Sequence, residues 1–159
     1  MAQILTGKAR PNDAASYAVD VGQWRHAIGN YNFTDDTGAQ AAYTIFTVTG
    51  DVMVRVFGLC QVLMDSGGAA TIALGIAGNT AILIAQTTAT ELDQYELWQD
   101  AGPEANPGPW DLQTAARQWI IANGADVIMT VATADLTAGD CDFHAFWMPL
   151  SVDGNVVAA

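Results

Sequence analysis

Apolar and polar positions alternate through the centre of the chain, most clearly in residues 52–64. A period of two residues is typical of a β-strand that buries one of its faces. One predicted face carries Val52, Val54, Val56, Gly58, Cys60, Val62 and Met64. The pattern therefore predicts a long strand with an apolar inward face and a mixed outward face.

The alternating stretch belongs to a longer apolar run, residues 44–64, which is long enough to cross a bilayer as a helix. Asp51 and Arg55 argue against a membrane span, because each charge would cost at least about 2.5 kcal/mol in hydrocarbon. The Thr, Val, Ile and Phe content of the run also favours strands. We therefore expect two β segments of a soluble core that meet at a turn or bulge at Gly50–Asp51.

Short β-type runs separated by Gly, Asn, Asp and Pro make up most of the remaining chain, and helical periodicity is scarce. The further predicted strands are residues 16–24, 27–33, 70–77, 80–87, 93–100, 126–133 and 142–150. A two-residue turn at Gly78–Asn79 would join two of them as a hairpin. Residues 101–110 predict a loop, whereas residues 116–124 fit either a strand or the end of a short helix.

Strands spaced in this way, with turn signals between them, indicate an all-β fold. We expect an antiparallel β-sandwich of jelly-roll type. Residues 1–15 have the character of an extended N-terminal arm, and residues 16–159 of one sandwich domain.

Composition and charge narrow the classes of partner. Hydrophobic residues make up 51% of the chain, and 17 acids face only 5 Lys and Arg. Nucleic acids and anionic membranes are therefore poor candidate partners, because both require clustered cations.

The charge is distributed unevenly along the chain. Four cations and five acids give the first 55 residues a net charge of −1, and one cation and twelve acids give the remainder −11. This asymmetry fits a soluble acidic surface, which is the interpretation we favour. The alternative is that the front contacts another surface while the body faces water. The N-terminus does not resemble a secretory signal.

Two cysteines, Cys60 and Cys141, lie in alternating apolar runs. Buried free thiols are the expectation for a protein made in a reducing cytoplasm. A disulfide between them is the alternative and requires neighbouring strands.

The densest polar cluster is DLTAGDCDFH, which contains Asp135, Asp140, Asp142 and His144. Asp142 and His144 share a strand face and suit zinc, and the three aspartates suit calcium. The spacing matches no calcium loop, and no second His is nearby in the sequence. We therefore favour a polar turn followed by a strand with one polar face, and we expect no metal and no cofactor. A lone His26, with no nucleophile in context, is expected at a surface or interface.

Acidic and aromatic residues mix in residues 91–111, which suggests two readings. Tyr95, Trp98 and Trp110 could stack on sugars beside carboxylates, and paired carboxylates could hydrolyse glycosides. The second reading places the tryptophans in the core or at a subunit contact, and we favour it.

Three segments together resemble the small all-β structural proteins of tailed bacteriophages. They are FTVTGDV at residues 46–52, GIAGNTA at residues 75–81 and the acidic stretch 91–98 that ends in Trp, followed by a late strand ending in FWMPL. The resemblance implies a non-enzymatic capsid decoration, or cement, protein that is made in the host cytoplasm and resides in the virion. It also implies homo-oligomers, usually trimers, and an arm that grips the major capsid protein, here through Lys8, Arg10 and Pro11. A carbohydrate-binding or host-attachment module of a phage particle is the alternative.

Overall fold

The computed structural model describes residues 23–99, 102–104 and 117–159, with only the backbone described for residues 102–104. The strands are β1 (Arg25–Asn32), β2 (Ala42–Thr49), β3 (Val52–Asp65), β4 (Thr71–Ile76), β5 (Asn79–Thr88), β6 (Leu97–Gln99), β7 (Gly102–Glu104), β8 (Trp119–Ile121), β9 (Val127–Ala132), β10 (Ala138–Pro149) and β11 (Asn155–Ala158). A one-turn helix, α1 (Phe33–Asp36), follows β1, and a 3₁₀ turn (Ala89–Glu91) follows β5. The arm residues Lys8, Arg10 and Pro11 lie outside the described residues, as does Trp110.

Two antiparallel sheets pack face to face. One sheet has the order β1-β10-β3-β6-β7, with β8 also paired to β3, and the other has the order β11-β2-β9-β4-β5. Buried side chains from both sheets form the core between them, including Phe46, Ile72 and Met129 from the five-stranded sheet and Trp98 and Phe143 from the six-stranded sheet. The predicted all-β antiparallel sandwich is therefore confirmed, whereas its jelly-roll subtype stays a prediction.

Gly50 and Asp51 form the corner at which the chain passes from one sheet to the other. Gly50 has a φ of 59°, in the left-handed region that glycine adopts at little cost. The Asp51 carboxylate accepts the backbone N–H of Asn123 at 2.9 Å, and its own N–H donates to the Ser151 hydroxyl at 2.8 Å. The predicted meeting point of β2 and β3 is therefore correct, and Asp51 ties three chain segments together there.

Strand β3 follows the predicted alternation from Val52 to Gln61, with every second residue buried. The pattern fails at Val62, which is 45% exposed although the alternation assigned it to the inward face. The β3–β10 register shifts between Cys60 and Val62, and Val62 and Leu63 are both exposed there. A second shift follows before Asp65, and Met64 is buried again, as the alternation predicted.

Two other predictions need correction. The β4–β5 turn consists of Ala77 and Gly78, one residue earlier than predicted, since Asn79 already pairs with Ile76. Residues 93–99 do not form one alternating strand, and Asp100, the last residue of the predicted strand 93–100, lies outside the described residues. Only Leu97–Gln99 is extended, and Tyr95, with a φ of 66°, belongs to the preceding turn.

The ambiguous residues 116–124 contain β8. Helix α1 and strand β11 were not predicted. The Asn32 side chain caps α1 by accepting the N–H of Thr34 at 2.9 Å. No helix in the part of the chain that the structure describes has the length and hydropathy to span a bilayer.

Candidate functional site

The outward face of the six-stranded sheet is rich in aromatic and sulfur-containing side chains. We call it the aromatic face and define it by Trp24, His26, Ile28, Met53, Arg55, Phe57, Ile120, His144, Phe146 and Met148. Alternation directs these residues outward, and all of them are exposed or partly exposed. Aromatic residues, Met and Arg are the types enriched at protein–protein interfaces. The composition of the face is therefore that of a contact surface.

Four rings form the centre of the aromatic face. His26 stacks on Phe146 with ring centroids 4.5 Å apart, and His144 stacks on Phe57 at 5.1 Å. The two phenylalanine rings lie 6.2 Å apart, which joins the two stacks. The rings come from β1, β10 and β3, so the register of three strands assembles this four-ring cluster.

A cation lies beside this cluster. The Arg55 guanidinium carbon is 4.7 Å from the centroid of the Trp24 ring, a cation–π distance. The Arg55 Nε is buried and has no hydrogen-bond partner within the described part of the chain. Arg55 is therefore a positive group on a largely apolar face, oriented by an aromatic ring.

The two histidine rings contact each other directly. His26 Nε2 and His144 Nδ1 are 3.0 Å apart, and the ring planes differ by 8°. Burial lowers the pKa of His144, the nearby His26 lowers it further, and Asp142 acts in the opposite direction. The prediction that His26 lies at a surface agrees with its exposure.

Side-chain amides donate hydrogen bonds to Asp140 and Asp142, two aspartates of the predicted metal cluster. The Asn30 amide donates to Asp140 at 2.6 Å and to Asp142 at 3.0 Å, and the Gln61 amide donates to Asp142 at 3.0 Å. Asn32 donates to the second oxygen of Asp140 at 2.9 Å. We call these five residues the amide–carboxylate network.

Asp135 is separate from this network, since it accepts the backbone N–H of Gln40. The favoured reading, a polar turn followed by a strand with one polar face, matches this geometry. Within residues 23–99 and 117–159, no group of three or more His, Cys, Asp and Glu side chains is arranged to hold a metal ion.

The outward face of the five-stranded sheet has a different chemistry. We call it the threonine face and define it by Thr44, Thr47, Thr49, Thr71 and Thr130. The five strands of this sheet contain no Asp, Glu, Lys, Arg or His. The charged and histidine side chains of the described strands are therefore confined to the six-stranded sheet.

Of the three residues that could bind sugar, the structure describes two, Tyr95 and Trp98, and these differ in burial. Trp98 is fully buried, donates its indole N–H to the Thr87 hydroxyl at 3.0 Å and packs edge-on against Phe143. A ring without an exposed face cannot stack on a sugar, so Trp98 belongs to the core. Tyr95 is 50% exposed, and Trp110 lies outside the described residues.

Cys60 and Cys141 lie directly opposite each other on β3 and β10, and both are buried free thiols. The strands are therefore neighbours, as the disulfide alternative required, but the thiol expectation describes the pair. Burial raises the pKa of Cys60 to about 12 and raises that of Cys141 as well. Both groups are thus poor thiolates and poor nucleophiles.

Sequence reasoning missed the histidine pair because its two members are 118 positions apart. Part of the surrounding face was indicated by the sequence, since alternation placed Arg55 and Phe57 on the outward face of β3 and His144 on one strand face with Asp142. The pairing of β1 with β10 has no local sequence signal, so the partner of His144 was not identifiable.

Comparisons with known proteins give similarities to solved structures. No family model matches the chain, and no curated protein matches it. A chain of the cyanophage Pam1 capsid asymmetric unit is similar over 80% of this chain and 86% of its own length, with a TM-score of 0.53 and 16% identity. A chain of the acidic stable capsid structure of Helicobacter pylori bacteriophage KHP30 is similar over 84% and 92%, with a TM-score of 0.49 and 11% identity. The first similarity establishes a shared fold and agrees with the phage resemblance drawn from the sequence.

Proposed function

We propose that the chain is a non-enzymatic structural protein of a phage virion, specifically a capsid decoration (cement) protein that binds the outer surface of the head. The observation that carries the proposal is the fold shared with a chain of the Pam1 capsid asymmetric unit. The mechanism is mechanical. Each bound copy buries area across subunit boundaries, so expansion or rupture of the shell must break those contacts.

The aromatic face is the surface through which we propose that copies of the chain contact one another. The Arg55 Nε has no hydrogen-bond partner among the described residues, and a second copy offers many carboxylates, because the chain has 17 acids and 5 Lys and Arg. A face-to-same-face contact would bring Arg55 towards its own symmetry mate. A head-to-tail contact, in which the aromatic face meets a different and acidic surface, avoids this repulsion. Such a contact forms a ring, such as a trimer, when the rotation between neighbouring copies closes.

The N-terminal arm, residues 1–15, is the proposed grip on the major capsid protein. Lys8, Arg10 and Pro11 are the residues proposed for this contact. Support comes from charge, because this near-neutral front contrasts with an acidic body, and cations on an arm favour contact with an acidic partner.

Particle binding tests the function. We expect an antibody against the chain to label the outside of intact heads in purified virions. Removal of residues 1–12 should abolish head occupancy, while the melting temperature of the free protein stays within about 2 °C of the unmodified chain, since a surface arm adds little to the core. A Lys8→Glu, Arg10→Glu variant of full length should bind less than the unmodified chain.

Two results would contradict the proposal. Absence of the chain from purified virions would remove the structural role altogether. Label on the tail tip rather than the head would favour the host-attachment alternative. Full occupancy by the shortened chain would remove the role of the arm alone.

A further inference from the structure

The histidine pair joins an edge strand to its sheet. Strand β1 is the terminal strand of the six-stranded sheet and pairs only with β10 in that sheet, among the described strands. Side chains of β1 contact those of β10 through the amide–carboxylate network at one end of the strand. At the other end they do so through the contact between His26 and His144 and through the Arg25 guanidinium, which lies 5.0 Å from the centroid of the Trp147 ring. Of these, the contact between His26 and His144 depends on the protonation of imidazoles.

A proton count shows how the histidine contact responds to acid. A 3.0 Å Nε2–Nδ1 distance between nearly coplanar rings requires one N–H and one lone pair between them. The neutral pair meets this requirement, and so does the singly protonated pair, because one facing nitrogen still keeps its lone pair. The doubly protonated pair does not, because two N–H groups and two positive charges would then face each other.

The neighbouring side chains determine how unfavourable the doubly protonated pair is. Phe146 stacks on His26 and Phe57 stacks on His144. His26 is nevertheless exposed, whereas His144 is half-buried, so desolvation acts mainly on His144. Asp142, two residues along β10, is the anionic group nearest in the strand and favours a charged His144. Arg55 on β3 lies opposite Phe146 and adds positive charge to the same face.

Asp142 is also held by Asn30 and Gln61, which compete for its oxygens. The pKa of His144 is lowered, because burial and the neighbouring His26 together have a larger effect than Asp142, which acts in the opposite direction.

We propose that His26 and His144 form an acid-sensitive latch that holds β1 on the six-stranded sheet and opens when the pair takes up its second proton. Both histidines belong to the aromatic face, so the consequence for assembly rests on the proposed function. Opening would disturb the face through which copies contact one another. The latch itself is a property of the single chain.

The direction of the pH effect follows from proton binding. A histidine whose pKa is lowered by folding binds its proton more readily in the unfolded chain, whose ordinary value is about 6.5. The stabilising contribution is therefore complete above that value and declines as the pH falls through it towards the lower pKa of the folded state. Loss of one net hydrogen bond corresponds to about a fivefold rise in the unfolding equilibrium constant.

Two measurements on the free full-length protein test the latch. The first is an NMR titration of the imidazole carbon-bound protons from pH 8 to pH 4.5. We expect two separate steps, the later one below the ordinary histidine range, with loss of β1 amide protection accompanying the later step. Two independent steps near the ordinary value, with β1 protection unchanged, would overturn the proposal.

The second measurement compares urea unfolding at pH 7.5 and pH 5.5 in the unmodified chain and in a His26→Gln, His144→Asn variant. The Gln amide reaches the position of Nε2 and the Asn amide that of Nδ1, so the variant keeps a hydrogen bond that does not titrate. We expect the unfolding constant of the unmodified chain to rise about fivefold more than that of the variant. An equal rise in both chains would contradict the latch, because other titrating groups would then account for the effect.

If the variant does not fold, the single exchange His144→Asn replaces it, with the same comparison. Failure of the latch leaves head occupancy unaffected, and failure of head occupancy leaves the titration unaffected. The two proposals are therefore distinguishable.

Discussion

The aromatic face and the threonine face are the two outer surfaces of one sandwich, and they differ in aromatic content and in charge. Both arise from the same alternation of inward and outward residues. The aromatic face has two ring stacks, a cation–π pair and two histidines. The threonine face has β-branched side chains with hydroxyl groups, on strands without a charge.

The difference indicates that the two faces meet different surroundings. Threonine suits a strand surface, and the exposed Thr44, Thr47 and Thr49 leave hydroxyl groups for water. The Thr130 hydroxyl differs, because its oxygen is buried without a hydrogen-bond partner among the described residues. Partly exposed Phe, Met and Trp side chains gain when a protein surface covers them, because apolar area is then removed from water. We infer that the sandwich presents the aromatic face to a second copy and the threonine face to solvent.

The largest expected difference between the faces concerns self-association. Ile28 on β1 is 50% exposed on the aromatic face, and Val157 on β11 is 47% exposed on the opposite sheet. Ile28→Asp should weaken self-association about 100-fold, because a charge is buried in an apolar contact, whereas Val157→Asp should change it less than about threefold. Analytical ultracentrifugation measures both. Equal weakening by the two variants would remove the distinction between the faces.

A smaller difference is expected in the stability of the folded chain. Phe146→Ala removes the ring on which His26 stacks and should lower the free energy of unfolding by about 2 kcal/mol. Thr47→Ala, at an exposed position of the threonine face, should change it by less than about 0.5 kcal/mol. Urea denaturation at a protein concentration where the chain is monomeric gives both values. A Phe146 effect as small as that of Thr47 would mean that the four-ring cluster contributes nothing to the fold.

The smallest expected difference separates two asparagines. Asn30 on β1 bridges Asp140 and Asp142, so Asn30→Ala should cost about 1 kcal/mol at pH 7, where it leaves two neighbouring carboxylates without their shared donor. Asn155→Ala on β11, an exposed position, is the matched control and should cost less than about 0.3 kcal/mol. Thermal unfolding resolves the pair. The proposed bridge is contradicted when both variants melt at the same temperature.

The local pattern of apolar and polar residues predicted much of this fold. It failed where the geometry depends on how distant strands pair. The alternation of β3 and the glycine-marked corner at Gly50 are properties of short stretches, and both were correctly predicted. The outward turn of Val62 and the isolated position of Tyr95 depend on a register shift and on a turn whose geometry only the packed sheet determines.

The candidate site was less predictable than the fold. Alternation placed Arg55 and Phe57 on one face, but their neighbours His26 and Phe146 arrive from strands distant in the sequence. Trp98 was ambiguous for a different reason. A tryptophan in an acidic segment has the same sequence signature whether it faces a sugar or lies in the core, where the structure places Trp98. Composition therefore indicated an interface without locating it.

A cryo-EM reconstruction of the intact virion tests the central claim most directly. The account predicts that protein density covers the aromatic face, with a carboxylate of a neighbouring copy near Arg55, and that the threonine face is open to solvent. A particle in which the threonine face is covered and the aromatic face is bare would contradict it.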